Sequence, residues 1–244
     1  PVENLMAELL PVMMGKTKGL KAVFLKKRYR FLGSAAAILL LWNLCLGPFP
    51  PGGSAPYHWE RDLEAIHGAS HSGRVVFVLD EGGLRVPEDL MVEVGSICQD
   101  FALTKVSKVI KGGKERIHSV QAGLSEVRED AELIAIHDGA RPLLPPEVLE
   151  EVLHRAAQTG AAAPAVPITD TVKRSENGLA VETVDRSTLF AVQTPQVFQA
   201  DLIRAAVQKA LEDGEVLTDD CAAVERLGMK VSLTRGSREN LKLT

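Results

Sequence analysis

The amino-acid sequence predicts an α/β fold with a mostly parallel sheet from which one β-hairpin arm protrudes. From residue 74 onward, short β-branched runs alternate with amphipathic stretches, which is typical of a sheet covered by helices. Residues 133–166 have the pattern of a strand–helix–strand unit, which predicts parallel pairing. Residues 170–184 interrupt this order with two alternating runs around Asn177-Gly178, the dipeptide that best supplies the positive φ values of a hairpin turn.

Chain length and composition predict one domain over residues 1–244. The chain is 45% hydrophobic and 25% charged, and a chain of this size can bury roughly 70% or more of its unfolded surface. We find no linker rich enough in Pro, Gly or Ser to separate two domains, and the stretch GPFPPGG at residues 47–53 is interpreted as a loop rather than a boundary. Lys and Arg number 28 against 32 Asp and Glu, so the net charge of −4 does not favour a nucleic-acid-binding protein.

The first apolar segment, residues 34–46, follows a basic run and precedes Gly47-Pro48, an order that imitates a signal peptide. It lies too far inside the chain for one, and about a dozen apolar residues fall short of the roughly 20 that span a bilayer. The sequence therefore predicts a buried helix here and no membrane association. Pro1 in the first position leads us to expect that the natural start lies upstream.

Further elements follow in chain order. Strands are predicted at residues 74–79, 133–137, 161–166 and 230–234, and helices at residues 146–159, 200–212 and 218–227. Pro146 in the first turn, nearby glutamates and Gly160 after the last residue bound the first of these helices. Either Thr218 or Asp219 is expected to cap the third.

Cysteines and histidines give no sign of a disulfide framework or a zinc site. The three cysteines, Cys45, Cys98 and Cys221, are widely separated and form no CxxC pair, so we expect a reducing, cytoplasmic setting. His67 and His71 have a spacing that could meet on a helix face. No carboxylate-rich sequence surrounds them, and we do not expect them to bind a metal.

The residues after the strand predicted at 133–137 are the first place to look for a site, because ligands bind beyond the carboxyl ends of strands in an open parallel sheet. They are Asp138-Gly139-Ala140-Arg141-Pro142. Asp138 could hold Mg²⁺, and Arg141 could contact phosphate or brace the loop. From these residues alone, an Asp that caps the loop and pairs with Arg141 is an equally good interpretation.

A glycine pair and three cationic clusters add to this picture. Gly112-Gly113 precedes a predicted amphipathic helix, whose free N–H groups suit an anion or a base edge. The clusters are Lys173 with Arg174, Arg186, and residues 235–242. Together they are consistent with the binding of more than one phosphate, whereas each alone is more often a solvated surface.

Six motifs follow one another from about residue 105 to residue 244: GGKERIHSVQAGL, IAIHDGARP, AVPITDTVKR, TVDRSTLFAVQTPQVF, LTDDCAAVERLG and GSRENLKLT. In this order they closely resemble the 2-C-methyl-D-erythritol 4-phosphate cytidylyltransferase family of the non-mevalonate isoprenoid pathway. The resemblance implies a Rossmann-like nucleotidyltransferase fold that moves CMP from CTP to the acceptor and releases pyrophosphate. It also implies Mg²⁺ as cofactor and a homodimer joined through the hairpin arm at residues 170–186.

The same resemblance implies roles for individual residues. The implied catalytic residues are Lys242, Lys27, Lys18 and Asp138, and Asp138 is also the implied Mg²⁺ ligand. The implied nucleotide-binding residues are Gly15, Gly112, Gly113, Arg116, Ser119 and Asp138. The implied acceptor-binding residues are Arg141, Thr171, Arg186, Thr194 and Thr218. Thr171 and Arg186, on the arm, are expected to reach the acceptor bound to the partner subunit.

The N-terminal part departs from the family pattern. The family carries a loop of the form PAAGxGxRM, whereas residues 9–19 of this chain are LLPVMMGKTKG. Met13 and Met14 replace small residues and should hinder the approach of a phosphate to the loop backbone. Further on, KRYRFLG resembles the KQ(Y/F)xxLG stretch of the family, which makes Lys27 the candidate second lysine and Lys18 the candidate loop cation.

Three explanations of this departure are open: a reading error or frameshift in the first 60 or so residues, a divergent but active loop, or a catalytically impaired dimeric relative that binds nucleotide or acceptor only. We expect the first, because the match improves abruptly near residue 75 and the chain stops at Thr244, just before the usual final helix. For the acceptor, the alternative is ribitol 5-phosphate, whose cytidylyltransferase shares the fold and most motifs.

Overall fold

A computed structural model describes residues 37–44, 74–80, 88–100, 105–141 and 143–242 of the chain. Its strands are β1 (Ala37–Leu44), β2 (Arg74–Asp80), β3 (Val106–Lys111), β4 (Leu133–Asp138), β5 (Ala161–Pro167), β6 (Val172–Glu176), β7 (Leu179–Val184), β8 (Phe190–Val192), β9 (Gln196–Gln199) and β10 (Ser232–Arg235). Its helices are α1 (Glu88–Asp100), α2 (Arg116–Glu126), α3 (Pro146–Thr159), α4 (Ala200–Glu212) and α5 (Asp220–Arg226). Within these residues, no helix is both long and apolar enough to cross a membrane.

Eight strands form one sheet in the order β10-β5-β9-β4-β1-β2-β3, and β8 pairs with β5 outside this path. The prediction of a mostly parallel sheet is wrong for the described strands, because only β10 with β5 and β2 with β3 pair in parallel. β4 and β5 run in the same direction, since each is antiparallel to β9. The strand–helix–strand pattern predicted their direction, but it contains no information about a later strand inserting between them.

The predicted helix at residues 34–46 is also wrong, because residues Ala37–Leu44 form β1, in the middle of the sheet. β1 is antiparallel to both neighbours, with Leu41 opposite Val76 of β2 and Ile136 of β4. A short run in which Asn43 is the one polar residue suits a buried helix and a central strand equally well, so periodicity cannot separate the two. The pairing with β2 and β4, which are distant in sequence, makes residues 37–44 a strand.

The helices α3 and α4 have the bounds that the sequence predicts. Gly160 ends α3 with φ 86°, in the left-handed region that favours glycine. α5 is shorter than predicted, and Asp219 rather than Thr218 is its N-cap, because the Asp219 carboxylate accepts a hydrogen bond from the N–H of Ala222 at 2.9 Å. This cap places Asp219 and Asp220 at the start of the helix.

The core lies on both faces of the sheet. On one face, Ile134 and Ile136 of β4 belong to the same cluster as buried residues of α2, α4 and α5. On the other face, Leu133 and Ala135 of β4 pack with buried residues of α3. Successive residues of a strand point to opposite faces, so β4 is buried on both. A strand fixed in this way holds Asp138, its last residue, in a defined place.

β6 and β7 form a separate two-stranded antiparallel sheet, with Val172 opposite Val184. Asn177 and Gly178 connect them with φ values of 50° and 80°, as the dipeptide predicts. The hairpin is exposed along most of its length.

Candidate functional site

Asp138 lies where β4 ends, and three side chains meet there. The Nζ atom of Lys242 is 3.0 Å from Asp138 Oδ2, and the Nε atom of Arg141 is 3.6 Å from the same oxygen. The backbone N–H of Asp138 donates to the Thr194 hydroxyl at 3.0 Å. The structure thus brings four predicted site residues together from separate parts of the chain.

The cations decide the protonation state of Asp138. Burial raises the pKa of this carboxyl, but the nearby charges of Lys242, Arg116 and Arg141 outweigh that effect and hold the pKa below its ordinary value. Asp138 is therefore an anion at neutral pH. An ionised carboxylate at a strand end is the form that can bind a hard cation such as Mg²⁺.

His137 supports the loop behind Asp138, and sequence reasoning missed it. Its ring is buried, with Nδ1 2.9 Å from the Thr194 hydroxyl oxygen and Nε2 3.1 Å from the Arg141 carbonyl oxygen. Burial lowers its pKa to about 4, so the ring is neutral at neutral pH. A carbonyl oxygen only accepts, so Nε2 carries the ring hydrogen. The sequence contained one signal that could have indicated this role: a histidine at the end of an otherwise apolar strand.

The glycine pair forms a tight turn before α2. The N–H of Gly112 donates to the Leu79 carbonyl at 2.7 Å, which extends the pairing of β2 and β3. The N–H of Gly113 donates to the hydroxyl of buried Ser119 at 2.9 Å. A Cβ atom on Gly113 would lie 2.3 Å from the Cβ of His118. The three residues predicted to recognise the nucleotide therefore lie together, and only glycine fits at position 113.

Arg116 has an intramolecular partner that the sequence did not reveal. Its guanidinium donates to both carboxylate oxygens of Asp220, at 2.7 and 2.5 Å, and the two residues are 104 positions apart. Burial disfavours the charged form, but Asp220, Asp138 and Asp219 outweigh it and raise the pKa of Arg116 further. This pair joins the start of α2 to the start of α5.

Gln196, also missed at the level of sequence, holds the start of α5 against β9. Its amide nitrogen donates to Asp219 Oδ2 at 2.9 Å, and its amide oxygen accepts from the N–H groups of Asp220 and Cys221. Gln196 is buried, so these bonds satisfy an amide that water does not reach. Glutamine in a strand gave no sequence signal for this role.

Other predicted site residues lie away from the cluster around Asp138 or outside the residues that the structure describes. Thr171 and Arg186 lie at the exposed hairpin, where the Arg186 guanidinium donates to the Thr169 carbonyl. Thr218 is exposed, next to the cap of α5. Gly15, Lys18, Lys27, His67, His71 and Cys45 fall outside the described residues. Among the residues described, no group of three or more His, Cys, Asp or Glu side chains could hold a metal ion.

Comparisons with known proteins agree on one family. The family model for 2-C-methyl-D-erythritol 4-phosphate cytidylyltransferase matches residues 60–244. A protein of that name from Caldanaerobacter subterraneus subsp. tengcongensis is 45% identical over 159 residues, which are 65% of this chain and 70% of the relative. One from Desulforamulus reducens is 46% identical over 155 residues, 61% of this chain and 66% of the relative.

A solved structure extends the comparison to the fold. The crystal structure of 2-C-methyl-D-erythritol 4-phosphate cytidylyltransferase from Thermus thermophilus is 30% identical, covers 76% of this chain and 81% of its own, and has a TM-score of 0.60. The residues that the family model matches include the whole cluster around Asp138. On these findings, the chain belongs to the 2-C-methyl-D-erythritol 4-phosphate cytidylyltransferase family.

Proposed function

We propose that this chain catalyses the reaction for which its family is named, the transfer of CMP from CTP to 2-C-methyl-D-erythritol 4-phosphate. The observation that carries the proposal is the family match over residues 60–244, within which Asp138, Arg141 and Lys242 lie in contact. A phosphate oxygen of the acceptor attacks the α-phosphorus of CTP, and the bond from that phosphorus to the departing pyrophosphate breaks. Both reactants are anions.

Catalysis of such a reaction consists mainly of holding two anions in line and neutralising the charge between them. Lys242 suits this task, because its ammonium is anchored at Asp138 while its side chain is 47% exposed. The ammonium can therefore face a phosphate without leaving the site. Arg141 is more buried, its guanidinium donates to the backbone carbonyl of Asn240, and it orients the acceptor phosphate in this proposal.

Mg²⁺ is the cofactor we propose, and Asp138 fits it. Protein sites for Mg²⁺ typically supply one or two carboxylates, and substrate phosphates and water complete the octahedron. The low pKa of Asp138 keeps its carboxylate ionised for this purpose. When bound, the ion would polarise the phosphoryl oxygens.

The remaining binding roles follow the arrangement around Asp138. We assign Gly112 and Gly113, with Ser119 of α2 that bonds Gly113, to the cytidine part of CTP. Arg116 braces the start of α2 through Asp220. We assign Gly15, Lys18 and Lys27 to the triphosphate as predictions. Thr171, Arg186, Thr194 and Thr218 are the acceptor residues of the proposal. The Thr194 hydroxyl already bonds the Asp138 N–H, so any contact with the acceptor shares this oxygen.

We also propose a homodimer joined through the hairpin arm. Leu179 and Val181 of β7 are 71% and 50% exposed, and Phe190 and Val192 of β8 are exposed as well. A two-stranded hairpin is marginally stable in water, and exposed apolar side chains along it favour burial against another surface. In a dimer of this kind, Thr171 and Arg186 would serve the partner's site. A cytoplasmic location completes the proposal, in keeping with the free thiols of Cys98 and Cys221.

The direct test is turnover with purified protein, CTP and Mg²⁺. Pyrophosphate release should be faster with 2-C-methyl-D-erythritol 4-phosphate than with ribitol 5-phosphate, the acceptor that the comparisons do not favour. Faster turnover of ribitol phosphate would reverse the choice of acceptor. Binding of CTP without turnover of either acceptor would instead support the impaired relative, which the comparisons likewise do not favour.

A further inference from the structure

Residues 236–242, called here the C-terminal segment, follow β10 and carry Lys242 to Asp138. The segment lies directly against the sheet. The N–H of Gly236 donates to the Ala165 carbonyl at 2.9 Å, and a Cβ atom on Gly236 would lie 2.6 Å from the side-chain oxygen of Gln193. The approach is therefore close enough to require glycine where the segment begins.

Gln193 is the first anchor of this segment. Its amide nitrogen donates to the Ser237 carbonyl at 2.7 Å, and its amide oxygen accepts from the Ser237 N–H at 3.2 Å. A single side-chain amide thus pairs with both backbone groups of one residue, as a neighbouring strand would. Gln193 is buried and lies between β8 and β9, where the strand pairing is interrupted.

Asn240 is the second anchor, and it is fully buried at 0% exposure. Its side-chain nitrogen donates to the Thr194 carbonyl at 2.9 Å. Its backbone carbonyl accepts from the Arg141 guanidinium at 2.7 Å, and its N–H donates to the Ser237 carbonyl at 3.2 Å. Its side-chain nitrogen also lies 3.4 Å from the side-chain oxygen of Gln193. One residue therefore joins the C-terminal segment to Arg141, to the other anchor and to Thr194, whose hydroxyl bonds the N–H of Asp138.

The placement of Asn240 has a consequence for Lys242, which follows two residues later. Lysine is a flexible point charge, so the position of its ammonium depends on where its backbone is held. A hydrogen bond from a buried amide contributes only modestly to net stability, but it forms only when the donor and the acceptor lie in the right places. Asn240 thus specifies where the segment lies more than it stabilises the fold.

We infer that Asn240 is a positioning residue for CMP transfer: its side-chain amide bonds the Thr194 carbonyl and so fixes the backbone from which Lys242 meets the reacting phosphate, including the carbonyl that accepts from Arg141. The inference rests on the proposed function, because it takes Lys242 to act on the transition state. It assigns Asn240 no contact with either substrate.

A double-mutant cycle on kcat tests this inference. Asn240→Ala should lower kcat roughly 10- to 100-fold, because misplacing a catalytic group by about 1 Å can cost that much. The KM for CTP should change by less than about threefold, since the interaction lost is one made in the transition state. Glu239→Gln, a change at the exposed neighbouring residue, is the matched control and should leave kcat within about twofold of the wild type.

The decisive comparison is the effect of Lys242→Ala in the two backgrounds. If Asn240 acts through Lys242, this change should lower kcat strongly in the wild type and much less in the Asn240→Ala protein. If Lys242→Ala lowers kcat by the same factor in both backgrounds, the inference is overturned. A Lys242→Ala change without effect in the wild type would instead contradict the role of Lys242 in the proposed function.

A second variant keeps the test valid if Asn240→Ala does not fold. Gln193→Met removes the first anchor with little change of volume, together with its 3.4 Å bonds to Asn240, and keeps the Asn240 side chain with its bond to Thr194. It should show the same non-additivity with Lys242→Ala. The unfolding temperatures of all variants distinguish a loss of folded structure from a displacement of Lys242. If neither anchor variant folds, the inference is also overturned, because the anchors would then maintain the fold rather than the position of one lysine.

Discussion

Asp138 is the residue on which the proposed chemistry depends, and from its surroundings we expect that it can be changed without loss of the fold. It ends β4 at the edge of the buried core, and its carboxylate faces cations rather than apolar side chains. Replacing the carboxylate by an amide removes a charge and retains the shape. Function and folding are therefore separable at this position.

Asp138→Asn should lower kcat by roughly 100-fold or more, because the variant loses the carboxylate proposed to hold Mg²⁺. The unfolding temperature should change by only a few degrees. Asp130→Asn is a matched control, since it removes an exposed carboxylate that pairs with Arg128 far from this strand end, and surface pairs of this kind contribute little. Near-normal turnover of Asp138→Asn would exclude Asp138 from the mechanism.

The lowered pKa of His137 predicts how the free energy of unfolding changes with pH. Its pKa is lowered by burial to about 4 in the folded chain, whereas the ordinary value is 6.5. As the pH falls below 6.5, the unfolded chain binds a proton that the folded chain does not, so the free energy of unfolding decreases until the pH approaches 4. Between about pH 7 and pH 5.5 the loss from this group should be about 1 kcal/mol.

The measurement is denaturant unfolding at about pH 7 and pH 5.5 for the wild type and His137→Gln. The variant should be less stable at the higher pH but should lose about 1 kcal/mol less between the two pH values. This interval lies above the range in which Asp138 titrates, because the pKa of that carboxyl is lowered. Equal losses in both proteins would show that His137 is not held neutral by burial.

At the scale of elements, the turn before α2 shows how close packing selects a residue type. Gly113 approaches the backbone and Cβ of His118 so closely that a methyl group at this position must displace α2 or the turn. The turn also presents the residues that we assign to cytidine. Its geometry therefore affects stability and nucleotide affinity together.

Gly113→Ala should destabilise the protein by about 1–3 kcal/mol and raise the KM for CTP, because the added Cβ displaces the turn from Ser119. Gly95→Ala in α1 is the matched control. A Cβ at Gly95 would meet nothing within 4 Å of the described atoms, and alanine should stabilise a helix interior by roughly 0.5–1 kcal/mol. If both substitutions had the same effect, the steric argument would fail.

At the scale of the whole molecule, the hairpin arm carries exposed apolar side chains beside charged ones. Arg174 and Glu182 form an ion pair at 2.9 Å. Leu179 and Val181 of β7 are exposed near the tip of the arm, where the register of β6 and β7 shifts between Arg174 and Ser175. We expect a second copy of the chain to cover these two apolar side chains.

Val181→Asp should therefore convert the proposed dimer to a monomer, because it places a charge in an apolar interface. Light scattering at micromolar concentration measures the change. Ala180→Asp is the matched control, because it places the same charge on a neighbouring residue but replaces a small side chain rather than a large apolar one. A wild-type protein that is already monomeric would contradict the arm's role in assembly and the assignment of Arg186 to the partner's site.

The predictions from sequence were correct where the structure is determined by residues that lie close together in the chain. The bounds of α3 follow from Pro146, Gly160 and the apolar spacing between them, and the hairpin turn follows from Asn177-Gly178. The motifs around Asp138 identified the family for the same reason, because each is a local run of residues. The helix predicted at residues 34–46 is wrong because a window that is apolar at nearly every position has no period to interpret.

By itself, the sequence determined the family, the α/β class, most helices and strands, and the residues that form the cluster around Asp138. Only the tertiary structure decided that β9 lies between β4 and β5, that β1 is a central strand, and that Arg116 pairs with Asp220. It also decided that Asn240 anchors the segment of Lys242. The physical reason is that local preferences act over a few residues, whereas strand order and buried hydrogen bonds depend on groups that are distant in sequence and become neighbours only when the chain folds.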